Sequence, residues 1–165
     1  MDRIKALADR ARTAQDSMNR WIRQSLEYNS GEVMERQYAQ LAGGKASDGQ
    51  DLRPYYSEDK YFRTKAEMES YRNYKWSINN RLWVQPDRPR NPDAPNLFIN
   101  GKFWSELDAF FTDEAMTIDG RTSYAKDIVN KYGLSSFGLD AYNRAFMSDN
   151  VVRPYLIMRL RETLL

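Results

Sequence analysis

Apolar side chains recur at helical spacing through the first part of the chain, and this pattern constrains the fold most. In residues 2–27 they fall three or four positions apart, with charged residues between them. This spacing predicts one long amphipathic helix that is polar on its outer face. The apolar positions are Ile4, Leu7, Ala8, Ala11, Ala14, Met18, Trp21, Ile22 and Leu26. Gly31, which follows Asn29 and Ser30, is expected to end the helix because glycine tolerates a left-handed cap.

Two further helices are predicted before the middle of the chain. The first covers about residues 32–41, and the glycine-rich residues 43–49 then form a loop. The second begins at Thr64, because Glu67 follows it in the pattern of a capping box. Between the two helices, residues 50–63 are too aromatic for a solvated linker and too irregular for a helix.

A proline-rich segment, about residues 79–96, separates the two halves of the sequence. Its prolines are Pro86, Pro89, Pro92 and Pro95. Each lacks an amide donor and holds φ at about −65°, so the segment should stay extended. Leu82, Trp83 and Val84 at its start are too apolar to remain in water without cost. We therefore expect an arm that lies on a neighbouring protein and is mobile in the isolated chain.

The second half of the sequence changes its period. Alternating apolar residues predict a β-hairpin at about residues 105–119. A helix over residues 124–132 should follow, capped by Ser123 and stopped by Gly133. The hairpin is the principal β-structure that the sequence predicts.

Two last helices are expected to begin at Asp140 and near Pro154, which suits a first helical position. A chain of 165 residues rarely builds two independent cores. The sequence therefore predicts one α+β domain over residues 1–165. Its long N-terminal helix and further helices pack on a small antiparallel sheet, with long loops and the proline-rich arm.

The sequence contains no Cys and no His. This excludes disulfides, thiolate or imidazole zinc sites, and Ser–His or Cys–His relays. The stretch at residues 43–45 lacks the first glycine of a phosphate-binding loop, and residues 48–51 provide only part of a calcium loop. We therefore expect no cofactor, no metal and no enzymatic activity. A carboxylate-dependent enzyme is the remaining catalytic alternative.

The composition indicates a protein that makes large contacts with other proteins. It includes eleven Tyr, seven Phe and four Trp, while 25 basic and 23 acidic residues leave a net charge of +2. Aromatic residues and Arg are enriched at protein interfaces. The candidate contact residues are Tyr55, Tyr56, Tyr61, Phe62, Leu82, Trp83, Val84, Arg88 and Arg90. The sequence shows no signal peptide or membrane span, so we expect a soluble protein that is intracellular when made.

The proline-rich segment also fits a second class of protein. Arg81, Arg88 and Arg90 are opposed there only by Asp87, and Trp83 adds a stacking surface. Basic residues interleaved with aromatic ones bind single-stranded nucleic acid. A small nucleic-acid-binding accessory protein that uses Arg81, Trp83, Arg88 and Arg90 is therefore the alternative. The few arginines and the many prolines favour contact with a partner protein.

Short motifs follow one another through about residues 36–156. They are Gln40-Leu41-x-x-Gly44-Lys45, Asp48-Gly49, Pro54-x-Tyr56, Tyr61-Phe62-x-Thr64, Arg90-Asn91-Pro92-x-x-Pro95-Asn96-Leu97-Phe98-Ile99-x-Gly101-x-Phe103, Ala125-Lys126-Asp127-Ile128-x-x-Lys131-Tyr132-Gly133, Phe137-Gly138-Leu139 and Arg153-Pro154. The series resembles small proteins from virion gene clusters of tailed phages that infect Bacteroidetes, including crAss-like phages. The order is also similar, more distantly, to tail-completion and head–tail adaptor proteins of other long-tailed phages.

The resemblance implies a structural virion protein of the phage neck, made in the host cytoplasm. Such a protein forms a homo-oligomeric ring, a head–tail connector, which joins the portal to the tail. Its expected partners are other copies of itself, the portal, and other neck or tail proteins. DNA would pass through the channel without sequence-specific binding, and no membrane is involved. The N-terminal helix and residues 81–85 fall outside the pattern of the family.

Overall fold

The chain is mainly helical, and the computed structural model describes residues 2–79, 81–121 and 125–165. Helices account for 58% of it, and a small two-stranded antiparallel sheet completes the α+β fold that the sequence predicts. Within the described part of the chain, no helix is both long enough and apolar enough to cross a membrane. The predicted cap Ser123 and the predicted helix start Tyr124 lie outside the described residues.

The long N-terminal helix is confirmed, but its end differs from the prediction. Helix α1 spans Asp2–Tyr28, and helix α2 follows after one residue, at Ser30–Ala42. Gly31 therefore lies inside α2, and the expectation that it ends the first helix is wrong. Asn29 makes the break instead. Its side-chain amide donates to the carbonyl oxygen of Ser25 at 2.8 Å, which satisfies one of the last carbonyls of α1.

Helix α3 spans Lys65–Asn79 and begins with the predicted capping box. The Thr64 hydroxyl accepts a hydrogen bond from the amide of Glu67 at 3.2 Å. The Glu67 carboxylate accepts one from the amide of Thr64, also at 3.2 Å. These bonds satisfy amides that the first turn of a helix leaves without partners. The helix thus begins where the sequence indicates.

The predicted hairpin is confirmed with slightly shifted ends. After the short helix α4 (Lys102–Ser105), strand β1 (Leu107–Phe111) pairs antiparallel with strand β2 (Met116–Gly120). Helix α5 (Ala125–Tyr132) follows the sheet. It ends at Gly133, whose φ of +84° lies in the region that favours glycine. The stop signal at Gly133 is therefore confirmed as well.

The two last helices form one continuous helical run. Helix α6 (Ala141–Met147) is capped by Asp140, whose carboxylate accepts a backbone amide of the first turn at 3.0 Å. A π-helical stretch at Ser148–Val152 then leads into helix α7 (Arg153–Leu164). The last helix thus begins next to Pro154, as predicted, but as a continuation of α6.

Helices α1 and α7 pack against each other in antiparallel directions. The Tyr155 hydroxyl donates to the side-chain oxygen of Gln24 at 3.4 Å near one end of the pair. Near the other end, the Arg10 guanidinium donates to the carbonyl oxygen of Leu164 at 3.3 Å. Because Arg10 contacts the last turn of α7, the part of α1 that precedes Arg10 extends beyond α7.

Helix α2 is shared by two groups of buried apolar side chains. One group consists of Leu41, Ala42, Ala46, Leu52, Phe103, Trp104 and Leu107. The other consists of Val33, Ile118, Leu139 and Met147. Because Val33 and Leu41 both belong to α2, this helix joins the hairpin, α4 and α6 around one interior. The candidate site described below lies at the edge of the first group.

Candidate functional site

The proline-rich segment packs against its own chain. All of residues 79–96 except Asn80 are described. The carbonyl oxygen of Asp93 accepts from the amide of Tyr56 at 3.0 Å. Ala94 is fully buried against Gly44, whose φ of +70° and close contacts leave no room for a side chain. This placement differs from the expected arm on a neighbouring protein, because the segment finds its hydrogen-bond partners on the same chain.

A buried polar network fastens this segment to α2 and α6. Arg88 forms an ion pair with the buried carboxylate of Asp140 and donates to the side chain of Gln85 at 3.2 Å. The Gln85 amide donates to the side-chain oxygen of Asn143 at 2.6 Å. On the α2 side, Gln40 accepts from the backbone amide of Asp140 at 2.8 Å. Every charge in this network has a partner within the chain.

The apolar start of the segment is divided between the core and the surface. Leu82 and Val84 are half-buried and pack against the first group of core side chains. Trp83 points away from them and is exposed. It lines a groove of about 430 Å³ together with Tyr38 and Trp104. Of these three predicted contact residues, Trp83 is therefore the one with a free surface.

The aromatic residues that follow Pro54 also differ in their surroundings. Tyr55 donates its hydroxyl to the carboxylate of Asp51 at 2.9 Å. Tyr61 is exposed and stands edge-on to Phe62, with 5.4 Å between the ring centroids. Tyr56, by contrast, is buried. Tyr61 and part of Phe62 are accessible to a partner, and Tyr56 is not.

Lys75, on α3, is a buried cation at the edge of a cavity. Only 2% of its surface is exposed, and its ammonium group donates to the carbonyl oxygen of Phe98. The cavity has a volume of about 350 Å³ and lies between α3, α5 and the chain that leads into α4. Besides Lys75 it is lined by Tyr56, Tyr71, Pro95, Leu97, Ile99, Asn100, Phe103, Ile128 and Tyr132.

Arg90 brings a second positive charge close to Lys75. Its guanidinium lies over the ring of Trp76, with Cζ 5.4 Å from the ring centroid. The Nε and Nη2 atoms of Arg90 are buried and make no hydrogen bond of good geometry. Tyr56 is 4% exposed, and its hydroxyl is also buried, beside Arg90. Among the described residues, no carboxylate interacts with either cation.

The electrostatics of this cluster follow from burial. Burial and repulsion from Arg90 lower the pKa of Lys75 to about 7. Burial also lowers the pKa of Arg90 and raises the pKa of Tyr56, Tyr71 and Tyr132. The tyrosines therefore stay protonated near neutral pH. Lys75 is the member of the cluster that changes its charge there.

No sequence motif singles out Lys75, although the spacing on α3 contains a signal. Met68, Lys75 and Asn79 are the buried positions of this helix, and Tyr71 lies between them at the same spacing. A lysine on the apolar side of a helix usually extends its amino group to solvent. Here residues 95–100 cover that side, which no local pattern reveals.

The predicted nucleic-acid contacts do not form one exposed surface. Arg81 and Trp83 are exposed, whereas Arg88 and Arg90 are turned into the protein. In the part of the chain that the structure describes, no three acidic side chains come together in a group that could hold a metal ion. The residue types that are brought together are basic, aromatic and apolar. This donor set suits an anion better than a cation.

Comparisons with known proteins find no relative of this chain. No protein-family model, no curated protein and no solved structure matches the chain.

Proposed function

We propose that this chain is a structural subunit of a tailed-phage neck, a head–tail connector or tail-completion protein. Copies of it would form a ring that joins the portal to the tail around the DNA channel. The motif series through residues 36–156 supports the class of protein. One structural feature supports assembly, namely an apolar face of α1 that continues beyond its partner helix.

The face of α1 that packs against the rest of the protein continues toward the start of the helix, beyond the contact with α7. Ala14 and Trp21 lie seven residues apart on this face and are buried. Leu7 lies seven residues before Ala14, and therefore on the same face, but it is 55% exposed. Ile4, one turn earlier, is 78% exposed. Burying a large aliphatic side chain contributes about 1.5–3 kcal/mol, so this end of α1 fits a contact with another protein.

A closed ring needs two different contact surfaces on each subunit, because its interfaces are heterologous. The groove beside Trp83 offers a second surface of different shape, lined by aromatic rings and by the charged residues Glu32, Glu35 and Arg36. Arg36 pairs with Glu32 at 2.7 Å, so Glu35 leaves the groove one negative charge. The exposed start of α1 carries Arg3 and Lys5 around its apolar residues. We therefore assign the α1 end of one copy to the Trp83 groove of the next.

The test is the oligomeric state of the purified chain, alone and mixed with the portal protein from the same genome. Light scattering after size-exclusion chromatography, with negative-stain images, should show rings or complexes with portal. Leu7→Gln should abolish them without changing the urea midpoint of unfolding. Asp9→Gln places the same side chain on the opposite side of α1 and should leave assembly intact. A chain that stays monomeric and ignores portal would contradict the proposal.

The alternative of a single-stranded nucleic-acid-binding protein has less support. Arg88 is held by Asp140, and the Nε and Nη2 atoms of Arg90 are buried, which leaves Arg81 and Trp83 to meet a nucleic acid. Such binding would weaken steeply with salt, because bound counterions are released. Salt-dependent affinity for single-stranded DNA that is lost in Trp83→Ala would favour the alternative over the ring.

A further inference from the structure

The cavity beside Lys75 joins buried positive charge to apolar walls. Lys75 and the Nε and Nη2 atoms of its neighbour Arg90 are buried, and among the described residues neither side chain has a carboxylate partner. Buried charges in proteins are normally paired, because the loss of hydration is otherwise not offset. Arg88, in the same segment as Arg90, does have such a partner in the carboxylate of Asp140.

Hydrogen-bond donors are also left over at this place. The ammonium group of Lys75 has three donors, and the carbonyl oxygen of Phe98 takes one of them. Tyr56 lines the cavity, and its buried hydroxyl lies beside Arg90. A guanidinium can only donate to the hydroxyl oxygen, so no group accepts the hydroxyl hydrogen. An unpartnered buried donor costs free energy. A group that accepts hydrogen bonds and carries negative charge would satisfy both Lys75 and Tyr56.

We propose that this cavity binds a small organic anion, in which a carboxylate or phosphate group is carried on a flat apolar body. The anionic group would meet Lys75 and the Tyr56 hydroxyl. Leu97, Phe103 and Ile128 line the cavity and would contact the apolar body. The volume of about 350 Å³ lies near the lower end of the range of about 300–1,000 Å³ for small-molecule sites.

A ligand can reach the cavity from solvent. Ile99 and Asn100 are among the lining residues, and both are exposed, so the cavity opens on their side. All of its walls come from one chain. The inference therefore does not depend on ring assembly, and the two proposals can fail separately.

Isothermal titration calorimetry with benzoate and with phenyl phosphate tests the proposal on the full chain. Either anion should bind with a dissociation constant below the millimolar range, and the preferred one identifies the anionic group. Benzamide, a neutral analogue of benzoate, should bind at least ten-fold more weakly. Inorganic phosphate should bind at least ten-fold more weakly than phenyl phosphate. Failure of both anions to bind, or equal binding of a probe and its analogue, would overturn the proposal.

Variants locate the binding to this cavity. Lys75→Met keeps an unbranched side chain, one atom shorter, and removes its charge, so affinity for the bound anion should fall at least ten-fold. Tyr56→Phe removes only the hydroxyl and should weaken binding several-fold. Lys126→Met makes the same change at an exposed position of α5 and should leave affinity unchanged. Thermal unfolding confirms that each variant is folded. Unchanged affinity in both Lys75→Met and Tyr56→Phe would contradict the assignment.

Proton uptake provides a readout that a purely structural lysine would not give. Lys75 faces Arg90, Tyr56, Tyr71 and Tyr132, and the pKa of each tyrosine is raised, so these phenols do not titrate near neutral pH. The Lys131–Asp59 ion pair lies behind Tyr132. At pH 8, anion binding should draw a proton onto Lys75, seen as a dependence of binding heat on the ionisation enthalpy of the buffer. Binding without proton uptake at that pH would count against Lys75 as the anion's partner.

Discussion

Arg88 and Arg90 lie two residues apart in the same proline-rich segment, but they differ in whether a carboxylate pairs with them. Arg88 meets the buried carboxylate of Asp140 and belongs to a network in which each charge is paired. Arg90 lies over Trp76 and beside Lys75, and no carboxylate interacts with it among the described residues. One arginine is part of a complete polar network, and the other is part of an incomplete one.

The two arginines show the difference between a buried polar network that stabilises the fold and one that the fold only tolerates. A satisfied buried network fixes the relative positions of the elements that it joins, here the segment, α2 and α6. An unsatisfied one lowers stability and persists where another requirement outweighs the loss. Removing a residue from each network should therefore have opposite effects on the free energy of unfolding.

The largest effect is expected at Asp140. Asp140→Ala removes the partner of Arg88 and the cap of α6, and it leaves the guanidinium buried without a counter-charge. Loss of one partner of a buried ion pair typically costs about 3–5 kcal/mol of unfolding free energy. Urea unfolding measures this, with Asp149→Ala as the control. Asp149 pairs with Arg153 at 2.9 Å on the surface, and its removal should cost less than about 1 kcal/mol.

A second substitution shows whether the cost comes from the unpaired charge. If it does, adding Arg88→Met to Asp140→Ala should recover part of the lost stability, because it removes the uncompensated guanidinium. A double variant no more stable than Asp140→Ala alone would show that the cap or the packing, and not the ion pair, carries the effect.

Lys75 should produce a stability that depends on pH. Its pKa is about 7 in the folded chain and 10.5 in the unfolded chain. Between these values the unfolded chain binds one more proton, so unfolding free energy should rise with pH by about 1.4 kcal/mol per unit. Below pH 7 the lysine is protonated in both states and its burial cost is fully present. Lys75→Met should be the more stable protein at pH 7.

The measurement is the urea midpoint at pH 7.5 and at pH 9.5. The rise of about 2–3 kcal/mol that Lys75 contributes over this range should vanish in Lys75→Met. It should persist in Lys126→Met, which removes an exposed lysine. Parallel pH profiles for the wild type and Lys75→Met would show that the ammonium group reaches solvent.

Local sequence patterns predict where helices start and end better than they predict which residues those helices contact. The capping box at Thr64, the cap at Asp140 and the stop at Gly133 depend on neighbours within four residues, and all three are confirmed. Gly31 carries the right residue type for a helix end, but Asn29 takes that role and α2 includes the glycine. A glycine permits a left-handed turn and does not require one.

Local sequence patterns could not predict the candidate site, because its contacts join residues that are far apart in the sequence. Lys75 is separated by 23 residues from Phe98, whose carbonyl oxygen accepts its hydrogen bond. Trp83 and Arg88 belong to a stretch in which the sequence mixes apolar and basic residues. Arg88 is turned into the protein by Asp140, which lies 52 residues away in the sequence. Contacts at such separations are set by the whole fold, and composition within the segment does not contain them.

Gln85 offers a smaller change within the complete network. It donates to Asn143 at 2.6 Å and accepts from Arg88 at 3.2 Å. Gln85→Ala leaves the side-chain oxygen of Asn143 without this donor while the Arg88–Asp140 ion pair remains. The expected loss is about 1–2 kcal/mol of unfolding free energy, measured by urea unfolding. A loss as large as that of Asp140→Ala would mean that the network depends on the glutamine as much as on Asp140.

The smallest expected effect concerns the contact of Arg90 with the ring of Trp76 in the incomplete network. A cation over a partly exposed tryptophan contributes about 0.5–1 kcal/mol, and Trp76 is 50% exposed. A double-mutant cycle of Trp76→Leu and Arg90→Met isolates this coupling, because the effect of leucine on helix propensity cancels. The matched cycle combines Arg90→Met with Trp83→Leu. Trp83 has a similar exposure but lies in the groove beside Tyr38 and Trp104, so this cycle should give no coupling. Equal coupling in the two cycles would mean that Trp76 does not hold Arg90, and that other contacts, such as the one with Tyr56, keep the cation in place.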